Sequence, residues 1–248
     1  MDNTTEKSEE LANRLTAEFG NWFDKNVVQN NIKNLEKLRS SRKLNINPYL
    51  APYVTFATTG SMTETSLASS LIVARTFVTS LNTTFGTQLQ KSLPVFFSSV
   101  FGSPTAGVDI EFDDFVDGKH KFAQIKAGPE TINKDDVEPI HEKFQTIKRK
   151  ARFDGLELND SNFVIGVFYG SESDLSANYK KLRDKYGYSV YSGNDLWKRL
   201  TGIEDLQSRL VEACGEVAQK YDLQALIAEV SSDLASDPLI REIVSAYR

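Results

Sequence analysis

The chain has little sulfur and little imidazole: one cysteine, Cys214, and two histidines, His120 and His141, in 248 residues. A lone cysteine excludes an internal disulfide and any cysteine-built zinc cluster. Two histidines are too few for a histidine metal centre. Cys214 falls in a helical pattern, where it reads as a small core or boundary residue, and His120 reads as a surface residue rather than a catalytic one. No apolar run approaches the ~18 residues that a membrane-spanning helix needs. Internal repeats and low-complexity tracts are absent. The N-terminal stretch Met1-Asp2-Asn3-Thr4-Thr5-Glu6 is acidic and polar, unlike a signal peptide, so a cytoplasmic location is expected. The formal net charge of -5 argues against a nonspecific nucleic-acid coat. It leaves a specific nucleic-acid binder open, because local charge distribution decides that question.

Carboxylates and basic residues, by contrast, are arranged with some order. Asp109-Ile110-Glu111-Phe112 and Gln124-Ile125-Lys126 flank Asp117-Gly118, a strong short-range hairpin signal. Read as a two-residue loop, it pairs Val116 with Lys119, Glu111 with Gln124 and Asp109 with Lys126. Opposed residues share a face and side chains alternate along a strand. Asp109, Glu111, Gln124 and Lys126 then project together, and Ile110, Phe112, Ala123 and Ile125 form the buried side. Metal-assisted phosphodiester cleavage uses this combination. A divalent cation held by oxygen ligands offsets phosphate charge and acidifies a bound water. A lysine orients or deprotonates that water and stabilises the developing charge.

Periodicity organises the rest. Residues 6–42 read as helical, with Leu11, Leu15, Phe19, Trp22 and Phe23 near helical spacing; Trp22 and Phe23 suit core or dimer contacts. Asn47-Pro48 through Pro52 reads as a loop or extended linker. Thr63 with Ser66 opens a second helix ending near Asn82, and 84–101 a third, perturbed by Pro94. The glycine-bearing stretch 102–107 leads into Asp109. Asn133 is an N-cap for a helix to about Arg152, with Asp135 and Asp136 in its first turn. Phe163 to Tyr169 reads as a buried central strand. Ser173 caps a helix over 174–185, Tyr188 to Tyr191 is a short strand, and Asn194 opens a helix containing Trp197. The remainder to Arg248 forms two or three amphipathic helices. This order implies a mixed α/β core with helices on its faces. Basic residues concentrate at Lys143, Lys148, Arg149, Lys150 and Arg152, which follow the hairpin and suit DNA contact, and at Lys33, Lys37, Arg39, Arg42 and Lys43.

The hairpin resembles the active site of the PD-(D/E)xK nuclease superfamily, in which an Asp begins one strand and a (D/E)xK tripeptide lies on the next. Here the tripeptide is Gln124-Ile125-Lys126, a glutamine variant, and Val108 stands where the signature has proline. Gln124 can offer a neutral carbonyl oxygen but removes one negative charge, so a second carboxylate remains to be assigned. Glu111 is nearest; Glu64, at the start of a helix, is the other candidate. The resemblance implies that Asp109, Gln124 and the Ile125 main-chain carbonyl hold metal, and that Asp109, Gln124 and Lys126 are the catalytic set. Four further segments fall in order: 45–49, 126–132, 162–170 and 190–197. Together they are similar to type II restriction endonucleases, particularly those cutting G/C-rich interrupted palindromes of the GGNCC kind, over roughly 45–200. The resemblance implies Mg²⁺, double-stranded DNA, a homodimer, and a cognate DNA methyltransferase in the same system without direct contact. It implies a single nuclease domain over 1–248: an N-terminal helical segment over 1–60, a catalytic core over 61–200 with a mixed central sheet flanked by helices, and C-terminal helices over 201–248. A repair or methylation-dependent nuclease of the superfamily, and a non-catalytic DNA-binding protein with a degenerate site, are the alternative expectations.

Overall fold

The computed structural model describes residues 3–44, 46–96 and 105–247. Asn45, residues 97–104 and the Lys43 side chain lie outside the described residues, and with them the end of the third expected helix and most of the lead-in to Asp109. The chain divides into two compact units: Met1–Gly20 with Gly86–Ala213, and Asn21–Phe85 with Cys214–Arg248.

The first unit carries a four-stranded sheet in the order β1 (Ile110–Asp113), β2 (His120–Lys126), β3 (Phe163–Val167), β4 (Ser189–Ser192). β1 runs antiparallel to β2; β3 and β4 continue in parallel. Parallel neighbours need crossovers, and helices supply them. α6 (Lys134–Phe153) follows β2 and α7 (Ala177–Tyr186) follows β3. β3 is buried along its whole length, as the unbroken apolar run requires. Helix α6 presents Val137, Ile140, Phe144, Ile147 and Ala151 as one buried stripe. The first four pack with Phe163, Ile165, Val167, Tyr179 and Leu182. At about 1.5–3 kcal/mol for each large apolar side chain buried, this layer contributes heavily to the unit's stability. The opposite face is covered by α8 (Gly193–Thr201), whose Leu196 closes over Gly166.

Caps explain the helix boundaries. The Asn133 side chain accepts from Asp135 and Asp136 while Asp136 reaches back to the Asn133 amide, a reciprocal box that starts α6 as expected. The helix expected over 174–185 is corrected. Ser171, not Ser173, is paired with Asp174 in a short 3₁₀ turn, Glu172–Asp174, and α7 starts only at Ala177. The local turn satisfies its own amides, so the chain leaves it extended at Leu175 before the helix can begin.

Other helices differ from expectation in continuity. α1 (Asn3–Phe23) passes through a π-helical turn, Asp24–Val28, into α2 (Gln29–Glu36). The segment read as a linker contains α3 (Ala51–Thr59). Pro52 sits in its first turn, where a missing N–H costs nothing. α4 (Glu64–Val73) does not stop at Asn82; it continues through a π-helical stretch, Ala74–Ser80, into α5 (Leu81–Phe96). The C-terminal region is α9 (Leu206–Gln219), α10 (Leu223–Ala235) and α11 (Pro238–Ser245). In the second unit Leu67, Ala68 and Ile72 of α4 pack with Val230 and Leu234 of α10 and Ile240 and Val244 of α11. No helix among the described residues is long and apolar enough to cross a membrane.

Candidate active site

The hairpin between β1 and β2 is not closed by a two-residue loop. Ile110 opposes Ala123, Glu111 opposes Phe122, Phe112 opposes Lys121 and Asp113 opposes His120. The expected pairs Asp109/Lys126 and Glu111/Gln124 are therefore displaced by two positions. The reason lies in Asp114. Its amide donates to the Lys119 carbonyl, its carbonyl accepts from Gly118, and its carboxylate accepts from Val116. Gly118 adopts φ 67°, which closes a four-residue loop that the Asp117-Gly118 signal did not disclose. The same carboxylate is fully buried and paired with Arg199 at 2.8 Å. A slip of two residues preserves which face each side chain occupies, where a slip of one would have reversed it. Asp109, Glu111, Gln124 and Lys126 thus still belong to one side of the hairpin. The register continued one step brings Asp109 level with Gln124.

Asp109 precedes the regular strand. Its amide donates to the Ala123 carbonyl at 2.8 Å, and its carboxylate Oδ2 accepts the Ile125 amide at 2.7 Å. The aspartate side chain bridges directly to the residue between Gln124 and Lys126. Oδ1 meets no hydrogen-bond partner among the described residues. Gln124 is almost buried, and its Nε2 donates to the Gly107 carbonyl at 3.0 Å. That bond directs the amide oxygen, not the nitrogen, away from Gly107. Lys126 is half-buried and has no ion-pair partner among the described residues. Beyond it, the Gly128 carbonyl is held by the Tyr179 hydroxyl at 2.8 Å and by Thr131 at 2.8 Å. Burial pushes the Tyr179 phenol up to about 12, so it remains a donor throughout the working pH range.

Glu111 has both oxygens occupied. One accepts the Thr105 amide; the other lies 3.2 Å from His120 Nε2. Burial by itself would raise the Glu111 pKa, but the Thr105 and His120 contacts outweigh it and hold the carboxyl below its ordinary value. His120 Nδ1 lies 2.8 Å from Asp113 Oδ1. Burial opposes the imidazolium, yet Asp113 and Glu111 together raise the His120 pKa. Sequence reasoning left His120 on the surface near the turn. The signal that could have found it is Glu111 and Asp113 spaced by two on one strand, opposite a histidine. Only the true register sets that histidine between them. Glu64 is the first residue of α4 and follows the capping Thr63, in the second unit.

The basic residues of α6 fall into two settings. Exposed Lys143 lines a hollow of about 340 Å³ with Ala106, Gly107, Pro139, Glu142 and Thr146, next to the carbonyl that orients Gln124. Lys148, Arg149 and Arg152 line a second hollow of about 440 Å³ near Asn159. Lys148 is paired with Asp160 at 2.8 Å, and Arg149 bonds Gln145 and Thr146 on its own helix. Lys150 and Arg152 are exposed. In the second unit, Arg39 is committed to Glu229 at 2.9 Å and to Asp233, while Lys33, Lys37 and Arg42 are exposed.

Among the described residues no three His, Cys, Asp or Glu side chains converge into a protein-only metal cage. Magnesium does not require one. It keeps several waters and is held by one or two carboxylates together with substrate phosphate. Asp109 Oδ1, the Gln124 amide oxygen and Glu111 are hard oxygen donors on one face, and this donor set fits that ion.

A mixed sheet flanked by helices, with an aspartate bridging to a Gln-x-Lys strand, defines a restriction-endonuclease-like core. The family model for the Type II restriction endonuclease EcoO109I matches residues 10–222, and the chain belongs to that family. It is accordingly a type II site-specific deoxyribonuclease, a hydrolase of double-stranded DNA within a restriction-modification system. No curated protein matches the sequence.

Proposed function

We propose that this protein is a Mg²⁺-dependent homodimeric nuclease that hydrolyses both strands of a short palindromic DNA site of the GGNCC kind. The carrying observation is the 2.7 Å bond between the Asp109 carboxylate and the Ile125 amide. It fixes the acid against the strand that bears Gln124 and Lys126. Asp109, the Gln124 amide oxygen and the Ile125 carbonyl would hold the cation, with Glu111 or Glu64 as the second acid. Bound there, Mg²⁺ neutralises phosphate charge and lowers the pKa of water. Asp109 supplies negative charge and orientation. Gln124, tethered to Gly107, presents an oxygen without a second full charge. Lys126 orients the attacking water and stabilises charge on the phosphoryl oxygens in the transition state.

The single nuclease domain pairs with a second copy because a palindrome is matched by a two-fold protein. Lys143, Lys148, Arg149, Lys150 and Arg152 of α6 contact DNA. Exposed Lys143, Lys150 and Arg152 need surrender no ion pair to do so, whereas Lys148 must exchange Asp160 for phosphate. The protein acts in the cytoplasm, where a methyltransferase of the same system protects host sites.

The test is digestion of plasmid DNA with Mg²⁺ by wild type, Asp109→Ala and Lys126→Ala. Discrete fragments from wild type alone are expected, and sequencing their ends reads the recognised bases. Fragments from all three proteins would move the active site elsewhere.

A further inference from the structure

His120 stands between two carboxylates of β1. Its Nε2 lies 3.2 Å from Glu111 Oε2, and its Nδ1 lies 2.8 Å from Asp113 Oδ1. The residue is fixed from behind as well. The Asn162 side chain donates to the His120 carbonyl at 2.9 Å, and the Phe122 ring meets the imidazole edge-on at 5.1 Å. Yet the His120 side chain is 49% exposed, so this order is not a by-product of core packing. Exposed polar side chains normally keep their rotamer freedom. Here two hydrogen bonds, an aromatic contact and a main-chain tether hold one in place.

What His120 holds is Glu111. The Glu111 carboxylate is braced on one oxygen by the Thr105 amide and on the other by the imidazole. Glu111 lies two residues from Asp109 on the same side of the hairpin, so where its carboxylate is held decides whether it can reach a cation bound by Asp109. The orientation of an acidic ligand is commonly set by the group that bonds its far oxygen, and such partners weigh heavily on affinity. We propose that His120 is a positioning residue for the candidate second acid: it aims Glu111, and Asp113 aims His120. This inference rests on the metal-dependent reading of the site given above.

Side-chain replacements separate the two ends of the ring. Glutamine carries an amide nitrogen near the position of Nε2 and can still donate to Glu111. Asparagine places its amide near Nδ1 and can reach only Asp113. Mn²⁺ binding to the full-length protein is measured by calorimetry without DNA, beside thermal melts without metal. Affinity is expected to fall at least ~10-fold in His120→Ala and His120→Asn, and to recover to within ~3-fold of wild type in His120→Gln. Melting temperatures should stay together. Equal Mn²⁺ affinity in wild type and His120→Ala overturns the proposal, as does asparagine restoring binding as fully as glutamine. Asp109→Ala separates this failure from that of the parent reading. If it binds Mn²⁺ as wild type does, or wild type binds none, the metal site itself is misplaced. If Asp109→Ala alone is weakened, only the role of His120 falls.

Discussion

The Asp109 carboxylate accepts the Ile125 backbone amide at 2.7 Å, so one side chain serves both the architecture of the hairpin and its chemistry. The two contributions can be separated. Asparagine retains a carbonyl oxygen for the Ile125 N–H but loses the charge. Asp109→Asn is expected to melt near wild type while cleavage falls by roughly 10²-fold or more, the usual scale for removing a charge-stabilising group. Asp109→Ala should lose activity and also about 1–3 kcal/mol of stability, because the charged hydrogen bond from the Ile125 amide to Asp109 is lost. Chemical denaturation of both variants checks this. Unchanged stability in both variants would mean that the bridge contributes nothing.

Asp114 and Arg199 form the other decisive pair. Asp114 is fully buried, Arg199 Nη1 lies 2.8 Å away, and the guanidinium also stacks 4.1 Å from the Tyr191 ring. The Arg199 carbonyl further accepts the Phe115 amide. Removing one member of a buried ion pair costs about 3–5 kcal/mol when the other is left unpaired; Arg199 keeps Asp195 at 3.1 Å, which places the cost toward the lower end of that range. Asp114→Ala should therefore rank among the most destabilising single changes in the hairpin, and urea titration measures it. A loss below about 1 kcal/mol would show that Arg199 finds solvent or another partner.

These two pairs also explain how far the sequence could be read. Alternation revealed the faces of the hairpin, and with them Asp109, Gln124 and Lys126, because parity survives a two-residue slip. It could not reveal the register. That is set by Asp114, whose buried carboxylate depends on Arg199, 85 positions away. The helix α6 was legible because its cap and apolar stripe are local. α3 was not, because Pro52 ends helices as readily as it begins them, and only packing decides. The role of His120 was hidden for the same reason as the register: it depends on which residue lies opposite.

Asp237 links stability to pH. It caps α11 and accepts the Ser41 amide at 2.9 Å, the Ser41 hydroxyl at 2.9 Å and the Leu239 amide at 3.0 Å. The Ser41 amide bond leads the effects that hold its carboxyl below the ordinary range, against the opposing effect of burial. A depressed native pKa stabilises the fold above the unfolded-state value near 3.9. That contribution disappears as pH falls through the native value. Asp237→Asn preserves a capping oxygen but cannot titrate. The gap between wild type and this variant should be present at pH 7 and close as pH falls from the unfolded-state value through the lower native one. Asp237→Ala should lose about 1 kcal/mol at neutral pH. Melting curves across pH test this. A constant gap between wild type and Asp237→Asn at every pH would exclude the carboxylate as its source.

Gly193 joins the ends of two neighbouring strands. It adopts φ 53°, and a Cβ there would stand 2.3 Å from the Gly170 carbonyl oxygen. Gly170 in turn packs against Pro129, in the loop that follows Lys126. A methyl group at 193 meets both backbone strain and a rigid carbonyl; the Gln207 side chain, 3.0 Å away, can yield, but the Gly170 carbonyl cannot. Each effect costs about 1–3 kcal/mol. Gly193→Ala should therefore destabilise the protein by about 3 kcal/mol, and the displaced Gly170 should disturb Pro129 and slow cleavage. Gly215 is the matched control. It lies within α9, and a Cβ there meets nothing within 4 Å. Gly215→Ala should raise stability by about 0.5–1 kcal/mol through the unfolded chain's lost freedom. Side-by-side melts of the two alanine variants should move in opposite directions. A shared direction would mean that close approach at Gly170 does not govern position 193.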